Sequence, residues 1–139
     1  VKVVQCKAVE ELVRNSDIIC TTTPSTTPVL PDDKELLRGK CIIAIGSYMP
    51  EMREIPDAVL DLVDNVYIEL PYACEESGDL SQPLASGKLT KDRIKLMHEY
   101  LVSGEKEIKE GQTTYFKSVG MGLFDVCIAQ KLYEVAKEK

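Results

Sequence analysis

The sequence lacks the features by which several functional classes are recognised. It has no tryptophan, a single histidine (His98) and no C-x-x-C pair among its cysteines, so the usual spacing of zinc ligands is missing. No apolar run approaches the ~20 residues that a transmembrane helix needs. These absences predict a protein without a metal centre and without a membrane-spanning segment.

Positive charge is also scarce. The 139 residues carry 17 Lys and Arg against 23 Asp and Glu, a net charge of −6, and the basic residues are spread along the chain. Because nucleic-acid binding depends on clustered Lys and Arg, we expect no nucleic-acid partner. A hydrophobic fraction of 44% beside a charged fraction of 29% is typical of one globular domain with a single core.

The five cysteines are odd in number, and most of them lie within apolar segments. This pattern is typical of reduced thiols in a hydrophobic core, and it favours a cytoplasmic location. The residues concerned are Cys6, Cys20, Cys41, Cys74 and Cys127.

The start of the chain is abrupt. Val1-Lys2-Val3-Val4 is already strand-like, and neither a methionine nor a basic and apolar leader precedes it. We therefore expect a fragment that is truncated at its N-terminus.

Strand-like and helix-like segments alternate along the chain. Short β-branched or continuously apolar runs predict strands, and apolar residues three or four apart predict helices. This alternation predicts an α/β fold with a doubly wound parallel sheet, whose ligands sit at the carboxyl ends of the strands. The predicted strands are 1–6, 18–23, 40–45, 65–70 and 113–116, and the predicted helices are 8–15, 36–38, 56–63, 94–102 and a long C-terminal helix over 121–136.

Three segments that follow predicted strands are candidates for a binding site. They are rich in glycine and small hydroxyl residues, which let backbone amides approach a ligand and supply a few directed hydrogen bonds. A planar ring with polar edges, such as nicotinamide, would suit them, although each segment alone also fits an ordinary turn. The segments are Thr21 to Ser25, Ile45 to Pro50 and Phe116 to Gly120.

Taken together, these segments resemble signatures of the ornithine cyclodeaminase and mu-crystallin family. The resemblance lies in residues 16–25, in Gly39 through Gly46-Ser47 with Pro50 and Arg53-Glu54, and in Phe116-Lys117-Ser118-Val119-Gly120 with Asp125. It covers nearly the whole chain. It implies that residues 1–139 are a fragment of an NAD(P)-binding, Rossmann-type domain plus a C-terminal helical segment. The glycine-rich loop and the substrate and dimerisation domain would lie upstream, outside this chain.

The resemblance also implies roles for particular residues. The site would bind NAD or NADP, the full-length protein would be a homodimer, and the substrate would be a small amino or imino acid. Tyr48 and Ser118 take the catalytic positions. The cofactor-binding positions fall on Thr21, Thr22, Thr23, Ile45, Gly46, Ser47, Met49, Val119 and Gly120.

One position departs from the family pattern. Ornithine cyclodeaminases carry a catalytic Asp two residues after the glycine of this turn, where Tyr48 stands here. A phenol, which ordinarily loses its proton only near pH ~10, cannot replace a carboxylate as a base at neutral pH, but it can donate a hydrogen bond. We therefore expect hydride transfer at the α-carbon, either imine reduction or oxidative deamination. The alternatives are conversion of L-ornithine to L-proline plus ammonia, a non-catalytic mu-crystallin-like binding protein, and a structural module.

Other polar residues have plainer interpretations. No G-x-G-x-x-G turn occurs, so the isolated chain should bind cofactor weakly and catalyse nothing. His98 is expected on a helix surface, and Arg53 with Glu54 is expected to form a surface pair or a helix-entry bond. Lys117 could meet a carboxylate or cap a strand end in solvent. Glu75, Glu76 and Asp79 are expected to form a solvated acidic loop rather than a metal site.

Overall fold

A computed structural model describes residues 2–104 and 108–137, and its centre is a parallel β-sheet. The described residues contain five strands in the spatial order β1-β2-β5-β3-β4, and every neighbouring pair is parallel. The predicted parallel α/β sheet is therefore confirmed. The strands are β1 (Ile18–Thr21), β2 (Cys41–Ala44), β3 (Val66–Ile68), β4 (Ile94–Leu96) and β5 (Thr114–Lys117).

Short helices connect the strands, and their ends follow local sequence signals. Asp33 caps α2 by accepting hydrogen bonds from the amides of Glu35 and Leu36. Gly87 ends α5 with a positive φ of 77°. The helices are α1 (Val9–Arg14), α2 (Lys34–Leu37), α3 (Asp57–Leu62), α4 (Ala73–Glu76), α5 (Gly78–Ser86), α6 (Met97–Ser103) and α7 (Gly122–Lys137), with a 3-10 turn at Lys91–Arg93.

One face of the sheet, which we call the sealed face, is covered by helices. Side chains alternate between the faces of a strand, and laterally paired residues share a face. The sealed face is packed by Val13 of α1, Leu37 of α2, Val59 of α3 and Leu80 of α5, all fully buried. On this face the strand residues of β1, β2, β3 and β5 are all buried, and those of β4, Ile94 and Leu96, are half-buried. The buried strand residues are Ile19, Thr21, Ile42, Ala44, Val66, Ile68, Tyr115 and Lys117.

The opposite face, which we call the open face, is only partly covered. Helix α6 covers one end of it, where the rings of Tyr67 and Tyr100 lie 5.1 Å apart. Toward β1 the side chains are accessible, and Ile18 is 65% exposed. None of six strand residues on this face is buried: Ile18, Cys20, Cys41, Ile43, Thr114 and Phe116.

Helix α7 stands apart from the core. The predicted C-terminal helix is present, yet none of the residues Gly122–Lys137 is buried. The chain turns into it after Gly120, which has a φ of +91°, and Tyr72 donates a hydrogen bond of 2.9 Å to the carbonyl of Gly120. The helix therefore exposes a large apolar surface, formed by Leu123, Phe124, Val126, Ile128, Leu132, Tyr133 and Val135.

Three sequence-based assignments of secondary structure were wrong. Residues 2–6 form no strand, and Val3 is 90% exposed, because no strand in the described parts of the chain pairs with this segment. The predicted helix over 94–102 begins with strand β4, and α6 follows only at Met97. Helix α5 was not predicted, because Gly78 begins it and Pro83 lies inside it.

The cysteine prediction was only half right. All five thiols are free, but none is buried: Cys20 and Cys127 are exposed, and the other three are intermediate. Cys20 and Cys41 lie on the open face of β1 and β2, and Cys127 lies on α7, so apolar neighbours in the sequence did not mean burial. Within residues 2–104 and 108–137, no helix is long and apolar enough to cross a membrane.

Candidate functional site

The three candidate segments meet at one edge of the sheet. Strands β1, β2 and β5 are lateral neighbours and parallel, so the residues that follow them emerge at the same side, which we call the carboxyl edge. Strand β3, which pairs with β5, brings Glu69 to this edge as well. In open α/β sheets, ligands bind at this edge. The topology thus assembles one candidate site from segments that are up to about 100 residues apart in sequence.

A buried carboxylate, Glu54, joins the ends of β1 and β2. Its Oε1 accepts hydrogen bonds from the amide of Thr23 (2.5 Å) and from the Thr23 hydroxyl (2.9 Å). Its Oε2 accepts from the Thr21 hydroxyl and from the amide of Gly46, both at 2.8 Å. Glu54 is fully buried, and both carboxylate oxygens are satisfied. This side chain therefore ties two strand ends together.

Gly46 lets these two strand ends approach closely. A Cβ atom at this position would lie 2.2 Å from the carbonyl oxygen and 2.3 Å from the amide nitrogen of Thr23. Backbone atoms cannot give way as a flexible side chain could. Any larger residue would push the end of β2 away from the end of β1.

A second carboxylate, Glu69, holds the segment after β5. Its Oε1 accepts hydrogen bonds from the Ser118 hydroxyl (2.9 Å) and from the amides of Val119 (2.6 Å) and Gly120 (3.0 Å). The Gly120 amide also donates to the Ser118 hydroxyl oxygen at 3.1 Å. The other oxygen of Glu69, Oε2, is buried and has no hydrogen-bond partner among the described residues. Glu69 thus joins the ends of β3 and β5 through one oxygen only.

Lys117 and Asp79 form a buried ion pair on the sealed face. The Lys117 Nζ is 3.6 Å from Oδ2 of Asp79 and donates to the carbonyl of Ala44 at 3.3 Å, and both charged side chains are fully buried. The Oδ1 of Asp79 accepts from the amides of Glu54 (2.7 Å) and Ile55 (2.9 Å). Lys117 therefore meets a carboxylate, the first of the two roles that the sequence left open.

Burial shifts the pKa values of Asp79, Lys117 and Tyr115 in the direction that favours their neutral forms. Burial raises the pKa of the Asp79 carboxyl above its usual range, although the amides of Ile55 and Glu54 oppose the change. Burial lowers the pKa of the Lys117 ammonium, against the attraction of Asp79. The pKa of the Tyr115 hydroxyl is well above its usual value, first because of burial and then because of Asp79 and Glu54.

Two sequence-based expectations were wrong here. Glu54 was expected in a surface pair or a helix-entry bond and Asp79 in a solvated loop, yet both are buried and accept backbone amides. Charged residues are almost never fully buried unless they are paired, so composition favoured exposure. Apart from Gly46, the groups that donate to these two carboxylates lie 24 to 33 positions away in the sequence, and no local pattern reveals them. Arg53 instead pairs with Asp57.

The predicted site residues divide into two groups. In the first group, hydroxyls or amides of Thr21, Thr23, Gly46, Ser118, Val119 and Gly120 are bonded to Glu54 or Glu69. Ser47 resembles them, since it is fully buried and its hydroxyl donates to the carbonyl of Met52 and contacts the Ser77 hydroxyl. In the second group the side chains are exposed: Thr22, Ile45, Tyr48 and Met49.

Two other features adjoin the site. A cavity of about 270 Å³ beside Glu69 is lined by the apolar side chains of Leu101, Phe116 and Phe124 together with His98. The imidazole is exposed on α6, as expected, but it lies nearer to the end of β5 than its position in the sequence indicated. Among the described residues, no three His, Cys, Asp or Glu side chains gather as a metal site would require.

Several characterised proteins are similar to this chain in sequence. Delta(1)-pyrroline-2-carboxylate reductase of Bacillus cereus is 38% identical over 132 residues, 93% of this chain and 40% of the relative. Ketimine reductase mu-crystallin of Rattus norvegicus is 33% identical over 129 residues, 93% of this chain and 39% of the relative. The chain thus spans about two fifths of the length of the curated relatives that it matches.

A solved structure has a similar fold. The structure of Thermococcus litoralis Delta(1)-pyrroline-2-carboxylate reductase in complex with NADH and L-proline superposes with a TM-score of 0.78. It is 24% identical, and the match covers 96% of this chain and 42% of that one. The predicted Rossmann-type fold class is thereby confirmed. Since the sequence model of the ornithine cyclodeaminase/mu-crystallin family matches residues 1–139, the chain belongs to that family.

Proposed function

We propose that this chain is part of an NAD(P)-dependent oxidoreductase that reduces a small imino acid by hydride transfer to its α-carbon. In this proposal residues 1–139 supply the second half of the cofactor-binding domain and a C-terminal helical segment. The rest of the protein supplies the glycine-rich loop and the substrate and dimerisation domain, and two copies form a homodimer. The observation that carries the proposal is the convergence of three predicted segments at one carboxyl edge.

The exposed residues at this edge fit a nicotinamide ring. Ile45 and Met49 are 38% and 41% exposed and offer apolar surface, while Thr22 offers an exposed hydroxyl. Gly120 has open space where a side chain would be, so a ligand can approach its backbone. Apolar walls with few polar groups are typical of cofactor sites. The bound cofactor would supply the hydride, and these residues would orient it.

Tyr48 is proposed to contact the substrate. Tyr48 is 55% exposed just after the end of β2, so a bound molecule can reach this residue. As a phenol it can donate a hydrogen bond to an imine nitrogen or to a carboxylate. It would orient the imino acid and polarise the bond that receives the hydride.

Two relatives support the substrate class. Both the Bacillus cereus relative and the rat relative are reductases of imines, and the first is named for Delta(1)-pyrroline-2-carboxylate. A five-membered cyclic imino acid is therefore the first substrate to test. Tyr48, where ornithine cyclodeaminases carry Asp, argues against ornithine cyclisation.

The test is made on the full-length protein. NADH and NADPH are first added separately in a thermal unfolding experiment, because a ligand that binds only the native state raises the melting temperature. Delta(1)-pyrroline-2-carboxylate is then added, and nicotinamide absorbance is followed. We expect protection by one cofactor and loss of the reduced cofactor with the imino acid.

Other outcomes would select the alternatives. Cofactor protection without turnover of any imino acid would favour a binding protein, and ammonia release from L-ornithine would favour the cyclodeaminase. The absence of protection by either cofactor would contradict the proposal.

A pair of variants tests the role of Tyr48. Tyr48→Phe keeps the ring and removes the hydroxyl, and we expect kcat to fall by roughly 100-fold, as when one catalytic hydrogen-bond donor is lost. Tyr72→Phe is the matched control, because Tyr72 donates to the carbonyl of Gly120 at the same edge. Equal kcat values for wild type and Tyr48→Phe would remove Tyr48 from the mechanism.

A further inference from the structure

We infer that Glu54 and Glu69 are positioning residues, which set cofactor affinity by holding the three strand ends of the site in place without touching the ligand. The inference rests on the proposed function. It concerns two carboxylates that the sequence resemblance did not single out as site residues.

Glu54 and Glu69 each accept several hydrogen bonds from the strand-end segments. Glu54 collects four hydrogen bonds from Thr21, Thr23 and Gly46, and Glu69 collects three from Ser118, Val119 and Gly120. An ionised carboxylate only accepts, and its burial is costly unless such donors surround it. Each carboxylate therefore fixes the geometry of the segments that surround it.

The groups that donate to these carboxylates are not available to a ligand. Several groups of the predicted cofactor-binding residues already donate to Glu54 or Glu69: the hydroxyls of Thr21 and Thr23 and the amides of Thr23, Gly46, Val119 and Gly120. The ligand must then meet what these segments present outward, such as the exposed side chains of Thr22, Ile45 and Met49. Their positions depend on the carboxylates behind them, and small misplacements in a binding site are costly.

The two carboxylates differ in how many of their oxygens accept hydrogen bonds. Donors face both oxygens of Glu54, so a glutamine there must direct its NH2 group at other donors. Donors face only Oε1 of Glu69, and Oε2 has no partner. A glutamine at position 69 can keep its oxygen on the three donors and place its NH2 where Oε2 was. The two Glu→Gln substitutions should therefore differ.

The experiment uses the full-length protein and whichever of NADH or NADPH protects the wild type. Cofactor Kd is measured for Glu54→Gln, Glu69→Gln and Glu69→Ala, each well below its own melting temperature. Asp32→Asn is the control, since the Asp32 carboxylate accepts an amide of α3, from Ala58 at 2.8 Å, and not a donor from the three strand-end segments. This variant shows how much the cofactor Kd changes when a carboxylate outside the three strand-end segments is replaced.

We expect Kd to rise roughly 10-fold or more for Glu54→Gln and Glu69→Ala, since hydrogen bonds to a charged group are lost. We expect Glu69→Gln and Asp32→Asn to stay within about 3-fold of the wild type, because their acceptor oxygens are kept. A Glu54→Gln protein that binds cofactor like the wild type would overturn the inference. So would equal losses for Glu69→Gln and Glu69→Ala.

Two safeguards keep the result interpretable. If Glu54→Gln does not fold, Thr21→Val removes only one donor to Oε2 and keeps the side-chain shape; an unchanged Kd in that variant overturns the inference, and a raised Kd supports it. If the wild type binds neither cofactor, the proposed function fails and this inference fails with it. That failure is seen in the wild type, before any variant is compared.

Discussion

The sealed face and the open face of the sheet are built from similar residues but have different surroundings. Ile18 and Ile19 are neighbours in β1, yet Ile19 is 3% exposed and Ile18 is 65% exposed. The same contrast separates Ala44, which is buried, from Ile45, which is not. Hydrophobicity along a strand therefore predicts that a residue can be buried. Whether it is buried depends on what packs over that face.

Polar residues show the same difference more strongly. The sealed face encloses Lys117, Asp79 and Glu54, and each has a partner there. The open face carries the exposed thiol of Cys20 and the apolar side chain of Ile18. A substitution on the sealed face should therefore lower the free energy of unfolding more than the same substitution on the open face.

The largest effect is expected from Lys117→Met. It leaves the buried Asp79 carboxylate without its cation, and removing one partner of a buried pair costs about 3–5 kcal/mol. Lys117→Met/Asp79→Asn should recover much of that loss, because an asparagine oxygen can still accept the amides of Glu54 and Ile55. Urea unfolding of the single and double variants measures the coupling.

The same variant has a pH dependence of defined sign. Burial already raises the pKa of Asp79 in the folded protein, and removing Lys117 should raise it further. A carboxyl whose pKa is higher folded than unfolded makes the fold more stable as the pH falls. The loss of unfolding free energy caused by Lys117→Met should therefore become smaller as the pH falls from neutral to the unfolded-state pKa of ~4. A deficit independent of pH would argue against a charged Asp79.

The second largest loss of stability is expected at Ile19, and its neighbour Ile18 in β1 provides the comparison. Ile19→Ala opens a cavity in the core, and we expect a loss of about 2–5 kcal/mol, whereas Ile18→Ala should cost less than about 1 kcal/mol. Urea unfolding of this chain measures both. Equal losses would mean that the open face is covered in solution.

A smaller effect on stability is expected from Gly46→Ala. The new methyl group would meet the backbone of Thr23, and such overpacking costs about 1–3 kcal/mol. Gly87→Ala is a useful contrast, because nothing lies near its added methyl group but its φ is positive. In the full-length protein, cofactor Kd should rise for the first variant only. Unchanged binding in Gly46→Ala would show that the close approach of β1 and β2 is dispensable.

The smallest effect is expected at the outer surface of the helices over the sealed face. Asp61 pairs with Lys34 (2.7 Å) and Lys88 (2.5 Å), and these lysines lower its pKa. Its contribution is present above the unfolded-state pKa of ~4 and is lost as the pH falls through the lower folded-state pKa. Asp61→Asn should lower the melting temperature by less than about 3 °C at pH 7, and by less still in acid or high salt. A large drop that persists in acid would contradict a surface electrostatic role.

Much of the fold could be predicted from local patterns. The runs at Ile18–Thr21, Cys41–Ala44 and Thr114–Lys117 are apolar or β-branched and end in turn residues, so strand formation and strand ends were recognisable. Strand β4 was not, because three residues are too few to show an alternation against a following helix. Helix α5 was hidden by Gly78 and Pro83, which usually interrupt helices.

The carboxyl edge shows where the sequence by itself stopped and where tertiary structure decided. The sequence determined that hydroxyl and glycine residues follow three strands, and strand order then brought those segments together. It did not determine that Glu54 and Glu69 would be buried among them. A carboxylate is stable inside a protein only when several donors reach it, and those donors come from distant parts of the chain. Burial of charge is therefore a property of the assembled edge and not of any local segment.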